Sequence, residues 1–371
     1  MTGMSDLITP IIMPKWGLSM QEGTLAEWHV EEGTEISPGD EIMDVETDKI
    51  ANVVEAADGG LLRRRVGTEG QVYPVRALLG VMAPDSVSDT EIDAYVDAFV
   101  VPKVEEDEDT GPTYQFAELP IGRIRYAERG GDGVPVLLIH GFGGDLDNWL
   151  FNIDAIAGTA PVYALDLPGH GQSIKAVDNP GLGVMVDAAL AFMDHVQIDK
   201  AHLVGHSMGG LISGRVAIDH PARVASLTLI GSAGLGDEIN PDYVEGFVAS
   251  TSRRELKPKL QHLFADQGLV NRSMVDDLLK YKRLDGVQDF LENLSASLFS
   301  GGQQADRIAD GLGPLDCPCQ IIWGAEDAVI PAAHAKAIST ASVTVIDGAG
   351  HMVQMEQAAK VNDLIKAHIS A

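Results

Sequence analysis

The feature that most constrains this chain is a serine held between glycines, Gly205-His206-Ser207-Met208-Gly209. A strand-like run, His202–Gly205, precedes it, and a small-residue, helix-like run, Gly209-Gly-Leu-Ile-Ser-Gly214, follows it. Glycines suit these positions because a sharp strand-to-helix turn leaves no room for side chains and thrusts the serine Oγ out of the sheet. The pattern asks for a layered structure in which strands and helices alternate.

From Gly122 onward the sequence supplies that alternation. Strand candidates are Ile124–Glu128, Pro135–Ile139, Val162–Asp166, His202–Gly205, Val224–Ile230, Gln320–Trp323 and Val343–Ile346. Several, such as Val136-Leu-Leu-Ile139, are apolar throughout, as strands covered on both faces are, so a mostly parallel, doubly wound sheet is expected. From about 236 to 311 helix-like segments carrying Phe247, Leu256, Leu260, Phe290 and Leu294 interrupt the alternation, which predicts an inserted helical cap over the active site.

A serine hydroxyl is a weak nucleophile until a neighbouring base takes its proton, so a histidine and a carboxylate should follow in the order Ser, Asp, His. Asp327 stands in Gly324-Ala-Glu-Asp327-Ala-Val-Ile-Pro331 and His351 in Asp347-Gly-Ala-Gly-His351, both loops after strand-like runs. Asp327 would fix the imidazole tautomer and His351 would shuttle the Ser207 proton. Glu326 is the close competitor for the acid. The backbone N–H groups of Phe142, in His140-Gly-Phe-Gly-Gly144, and of Met208 are the expected oxyanion donors. His140, His170, His202 and His206 read as structural or pocket-lining.

Residues 8–84 differ in character, with short β-like runs such as Leu25–Val30, Glu41–Val45 and Ala51–Val54 punctuated by glycine and proline. They predict a small all-β domain. Gly33-x-x-Ile36-Ser37-Pro38 is echoed by Gly70-x-Val72-Tyr73-Pro74, so two similar halves of a flattened barrel or sandwich are expected. Thr47-Asp48-Lys49 should form a hairpin tip. Residues 85–112, with the acids Glu105 to Asp109, read as a mobile acidic linker with a possible short helix, leaving 113–371 to the larger domain.

A formal charge of −29 disfavours nucleic-acid and membrane-surface binding. No basic n-region leads into an apolar stretch, and no apolar run approaches the ~20 residues that span a bilayer, so a cytoplasmic protein is expected. The two cysteines, Cys317 and Cys319, lack further ligands at metal-site spacing and read as reduced structural thiols with no metal.

Taken in order, His140-Gly141, Asp166-Leu-Pro-Gly-His-Gly171, the Ser207 turn, the Asp327 loop and Gly350-His351 resemble the α/β-hydrolase superfamily over about residues 122–371. That resemblance implies acyl-type chemistry and leaves the substrate open. Met13-Pro-Lys-Trp-Gly-Leu-Ser-Met-Gln-Glu-Gly23, the glycines at 33, 39, 59 and 70, and Glu46-Thr-Asp-Lys49 resemble the lipoyl domains of 2-oxo-acid dehydrogenase complexes. Such domains carry lipoate in amide linkage on the lysine that matches Lys49. Biotin-carrying relatives typically place Met on either side of the lysine, whereas Asp48 and Ile50 flank it here.

The fusion is similar to the dihydrolipoamide acetyltransferase components of bacterial acetoin dehydrogenase complexes. It implies acetyl transfer from S-acetyldihydrolipoyl-Lys49 to coenzyme A in acetoin cleavage. The implied partners are a thiamine-diphosphate-dependent acetoin dehydrogenase component that loads the arm, a dihydrolipoamide dehydrogenase that reoxidises it, and a lipoate ligase. The chain departs from ordinary acyltransferase components, which carry His-x-x-x-Asp-Gly, because His195-Val-Gln-Ile-Asp199 is followed by Lys200. Two alternatives stay open: a lipoyl-linked serine hydrolase or thioesterase releasing the free acid, and a lipoyl carrier and scaffold with a vestigial hydrolase domain.

Overall fold

The computed structural model describes residues 7–14, 20, 22–47, 51–101 and 113–371, and the chain divides into two compact units, Met1–Thr110 and Gly111–Ala371.

In the first unit the short runs form β1 (Thr9–Ile12), β2 (Glu22–Trp28), β3 (Glu35–Ile36), β4 (Glu41–Glu46), β5 (Ala51–Glu55), β6 (Gly60–Arg65), β7 (Gln71–Pro74) and β8 (Leu78–Met82). They pair into two antiparallel four-stranded sheets, ordered β1-β8-β6-β3 and β5-β4-β2-β7. Each sheet has one apolar face, and the two cover each other around Met13, Leu25, Ile36, Met43, Val45, Leu62 and Leu79. This is the expected all-β sandwich. The sequence echo is structural: turns Glu31–Thr34 and Thr68–Gln71 put Gly33 and Gly70 at φ +92° and +77°, and each leads into a strand at the end of its sheet, β3 or β7. The β4–β5 hairpin closes at the pair Glu46–Ala51. Lys49, in the connection, lies outside the described residues.

Residues 85–101 follow β8 and include one helix. Helix α1 (Asp89–Ala98) opens with a capping box in which Ser88 and Glu91 satisfy each other's backbone N–H groups. It buries Ile92 with Leu78, Val81, Ala83 and Val87. Arg63 of β6 donates to the carbonyls of Pro84 and Val87 and to Asp89, while Arg64 pairs with Asp93, so apolar burial and charge both hold α1 to the sandwich. The acidic run 105–109 lies outside the described residues.

The second unit is built on β9 (Thr113–Leu119), β10 (Gly122–Arg129), β11 (Val136–Ile139), β12 (Val162–Leu165), β13 (Ala201–His206), β14 (Val224–Ile230), β17 (Cys319–Gly324) and β18 (Ser342–Ile346); a small hairpin, β15 (Phe299–Ser300) and β16 (Gln303–Gln304), stands apart. The eight strands run in the order β18-β17-β14-β13-β11-β12-β10-β9. The two ladders of β10, with β9 and β12, are antiparallel, and the other ladders of this sheet are parallel. Helices α2 (Ile153–Ala157), α3 (Leu182–His195) and α4 (Met208–Asp219) follow strands of the sheet. Val136 and Leu138 join a core with Ile153, Ile156, Val361 and Ile365, and Leu137 and Ile139 are equally buried, which is why β11 is apolar at every position.

Between β14 and β17 the chain leaves the sheet as α5 (Pro241–Ala249), α6 (Arg253–Leu260), α7 (Arg272–Lys282) and α8 (Val287–Leu298), then β15–β16 and α9 (Ala309–Leu312). The two ends of this excursion are tied where Gly234 N–H donates to Gln304 Oε1 and Ile308 N–H to the Gly234 carbonyl. It is the expected helical cap. Helices α10 (Val353–Glu356) and α11 (Ala358–Ile369) close the unit. Among the described residues no helix is long and apolar enough to cross a membrane.

Candidate active site

Ser207 sits between β13 and α4 with φ +55° and ψ −117°, a backbone conformation a non-glycine residue holds only when its surroundings enforce it. Its N–H donates to the Ile230 carbonyl and its own carbonyl accepts from Gly210, Leu211 and Ala233. The flanking glycines are sterically required: a Cβ on Gly205 would lie 2.2 Å from the Gly209 carbonyl oxygen, and one on Gly209 would lie 2.0 Å from that of Ile139.

Asp327, after β17, brings Oδ2 to 2.8 Å from His351 Nδ1. Its Oδ1 accepts the N–H groups of Val329 and Ile330 at 2.8 and 2.9 Å, so both oxygens are fixed. Glu326 takes another task, accepting the Ala349 N–H at 3.1 Å and bracing the histidine loop. A Cβ on Gly231 would lie 3.3 Å from His351 Nδ1 and 3.5 Å from Asp327 Oδ2. Ser207, hydrogen-bonded to Ile230, and the Asp327–His351 pair therefore meet around the backbone of 230–231. His206, beside the serine, donates from Nε2 to the His351 carbonyl at 3.0 Å, with ring centroids 4.7 Å apart.

The loop after β11 lies against the serine, since a Cβ on Gly141 would be 3.0 Å from Ser207 Cβ. Among the described residues neither the Phe142 nor the Met208 N–H has an acceptor, and Met208 opens α4, the positive end of a helix dipole. Donors of this kind are free for an oxyanion.

The other histidines singled out in the sequence hold backbone and side chains around the site. His140 donates from Nδ1 to the Gly141 carbonyl and accepts the Leu167 N–H at Nε2, and burial pushes its pKa down to about 4. Burial likewise holds His170 and His206 well below the ordinary imidazole range, and His202 rests on Ser226 Oγ. Asp166, fully buried, accepts from Leu146 and Gln172 with Arg125 at 3.5 Å, and desolvation raises its pKa. Cys317 and Cys319 are free thiols.

Cap aromatics complete the surroundings. Phe142 meets Phe247 and Phe299 edge-on at 5.9 and 6.0 Å. Phe247 and Phe290 lie so close to Gly143 and Gly169, both at positive φ, that a Cβ at either glycine would collide with a ring. The sequence places Phe247 and Phe290 in a cap but carries no signal for which loop each touches.

A family model described as alpha/beta hydrolase fold matches residues 134–358, and one described as biotin-requiring enzyme matches residues 9–80. The chain is 53% identical to the dihydrolipoyllysine-residue acetyltransferase component of the acetoin cleaving system of Cupriavidus necator, over 99% of both chains. It is 48% identical to the component of the same name from Pseudomonas putida, again over 99% of both. The chain belongs to this acetyltransferase-component family, built on the α/β-hydrolase fold. Among solved structures, a meta-cleavage product hydrolase variant from Pseudomonas fluorescens matches with a TM-score of 0.63 and 24% identity, over 69% of this chain and 97% of that one. It shares the fold of this chain's second unit, and the full-length matches show that both units are common to the family.

Proposed function

We propose that this chain moves an acetyl group from S-acetyldihydrolipoyl-Lys49 to coenzyme A, with Ser207 as nucleophile, His351 as general base and acid, Asp327 as the residue that orients the imidazole, and the Phe142 and Met208 N–H groups as the oxyanion hole. The observation that carries the reading is the Asp327–His351 contact of 2.8 Å beside a serine held at φ +55°. The β4–β5 ladder supports Lys49 as the lipoyl site, because its closure at Glu46–Ala51 leaves only Thr47 to Ile50 to join the strands, which suits a tip that a ligase can reach.

Lipoate amide-linked to Lys49 supplies a thiol that carries acetyl as a thioester. Ser207 Oγ attacks the thioester carbonyl carbon while His351 takes the hydroxyl proton, and the two N–H groups hold the oxygen that becomes negative. As the carbon–sulfur bond breaks, His351 returns the proton to the departing sulfur and Ser207 holds the acetyl group as an ester. His351 then takes the proton of the coenzyme A thiol, whose sulfur attacks that ester, and gives it back to Ser207 Oγ as the carbon–oxygen bond breaks. One thioester replaces another, so the exchange needs no oxidant.

As a component of an acetoin-cleaving system the chain acts with other components. We infer a thiamine-diphosphate-dependent acetoin dehydrogenase component, a dihydrolipoamide dehydrogenase and a lipoate ligase, all in the cytoplasm. The test is turnover of acetyl-dihydrolipoamide with and without coenzyme A. Acetyl-coenzyme A is expected, with a loss on the order of 10³-fold or more in Ser207→Ala. Free acetate as the sole product would assign a hydrolase, and no product at all would leave a lipoyl carrier.

A further inference from the structure

A chain with a formal charge of −29 leaves few places that welcome an anion. The middle of the cap is one such place: residues 253–283 hold eight lysines and arginines against four aspartates and glutamates. Several of these cations are engaged internally. Arg253 and Arg272 share Asp276, Lys259 pairs with Asp242, Lys280 pairs with Asp277, and Lys282 is buried with its ammonium on the carbonyls of Phe247 and Val248. The side chains of Arg254, Lys257 and Arg283 are exposed and have no ion-pair partner among the described residues.

The segment that carries these residues touches the loops of the candidate active site at two points. Beyond α6 the Leu263 carbonyl accepts the N–H of Met352, the neighbour of His351, at 3.0 Å. At the end of α7, Tyr281 Oη donates to the Gly169 carbonyl at 2.8 Å, and Lys282 Nζ lies 5.0 Å from the Phe247 ring that meets Phe142. Arg254 and Lys257, three residues apart on α6, share one face, and Arg283 directly follows α7.

We propose that Arg254, Lys257 and Arg283 bind the phosphates of coenzyme A at the rim of the cap, while its pantetheine arm carries the thiol inward to Ser207; this rests on transfer to coenzyme A being the reaction. Coenzyme A keeps its charge and its reacting atom at opposite ends, so its phosphates stay at the wet rim and need no desolvation in the site. The negative charge elsewhere on the chain is screened beyond roughly 8–10 Å in physiological salt, so nearby cations decide where a polyphosphate rests. Guanidinium groups suit phosphate oxygens in particular. The rival occupant is the first unit, which has 24 acidic against seven basic residues in 1–110. A docked protein face covers roughly 800 Å², whereas three free cations interleaved with Asp276 and Asp277 match a compact polyphosphate.

The test reverses the three charges together, Arg254→Glu, Lys257→Glu and Arg283→Glu, in the full chain. Pantetheine, which has the same thiol without nucleotide phosphates, serves as the control acceptor and reports that the site remains folded. KM for coenzyme A should rise on the order of 10-fold at low salt, the difference should shrink as salt is added, and KM for pantetheine should stay put. Calorimetry of coenzyme A binding to Ser207→Ala, with and without the reversal, reads the same contact without turnover. If wild-type chain makes no acetyl-coenzyme A, the transfer reading falls and calorimetry still decides the binding site. Unchanged affinity and KM would overturn the proposal. So would a rise confined to the donor borne on Lys49, with free acetyl-dihydrolipoamide unaffected, which would give the strip to the first unit.

Discussion

The two units place their proposed reactive groups by opposite means. In the β-sandwich the core residues Leu25, Met43 and Val45 stop short of the β4–β5 connection, and the lysine proposed to carry lipoate stands in that connection, with little required of it but reach. In the α/β unit the loops after β11, β13, β14, β17 and β18 all converge on one place, and Asp327 and His351 are almost fully enclosed, with side-chain exposures of 0% and 2%. Carrying a group calls for access, whereas making and breaking bonds calls for positions held to within about 0.5 Å. Glycines therefore serve different ends: Gly33 and Gly70 turn the chain between strands, while Gly205 and Gly209 permit backbones to touch around Ser207.

The largest effect expected from this division is on Lys49→Ala. Turnover through the chain's own arm should fall to background, while turnover of free acetyl-dihydrolipoamide by the same variant should match wild type. Parallel assays with the two donors check this. A comparable fall with the free donor would break the comparison, since it would make the first unit part of the catalytic site.

Acid should separate the units next. His140, His170 and His206 are held neutral by burial, their pKa values lowered. Below the ordinary imidazole pKa of about 6.5 the unfolded chain takes up protons that the folded second unit refuses, so protonation favours unfolding. Each histidine removes up to about 1.4 kcal/mol per pH unit as pH falls from about 6.5, and for His140 the loss continues to about 4. The first unit has no buried histidine among its described residues; its His29 lies partly exposed beside Asp44. Thermal melts between pH 7.5 and 5 should show the second unit's transition falling faster, and His206→Gln should lessen that fall. Equal shifts of both transitions would sink the argument.

How much of this is legible in the sequence follows the same division. The Ser207 elbow, the Asp327 loop and the Gly350-His351 loop can be read directly, because turn chemistry and order along the chain confine them, and β14 covers the predicted Val224–Ile230. Strands β1, β3 and β7 have only two to four residues, too few for a period to emerge. β9 escapes because Thr113–Leu119 buries only Ala117 and Leu119, so its apolar signal is weak. Asp327 is preferred to Glu326 on its spacing from Gly324 and Pro331, and in the structure its Oδ2 meets the imidazole. The contacts of Phe247 and Phe290 with glycine backbones are hidden, since they join segments far apart in sequence.

Helix α1 gives the smallest and most local test. A short helix within residues 85–112 can be expected from sequence, but whether it floats in a linker or belongs to the sandwich depends on Arg63 and Arg64 of β6, whose partners Asp89 and Asp93 lie far along the chain. These exposed ion pairs contribute little each, about 0.2–1 kcal/mol, so Ile92, completely buried, supplies most of the attachment. Ser88→Ala removes the cap while leaving that burial intact, and should cost the first unit about 1 kcal/mol with no change in the second unit's melting or in turnover of free acetyl-dihydrolipoamide. Amide hydrogen exchange across 89–98 should rise in the variant only toward the helix N-terminus. Exchange at the unprotected rate along all of α1 in the wild-type chain would instead return the helix to the linker and move the boundary of the first unit back to residue 84.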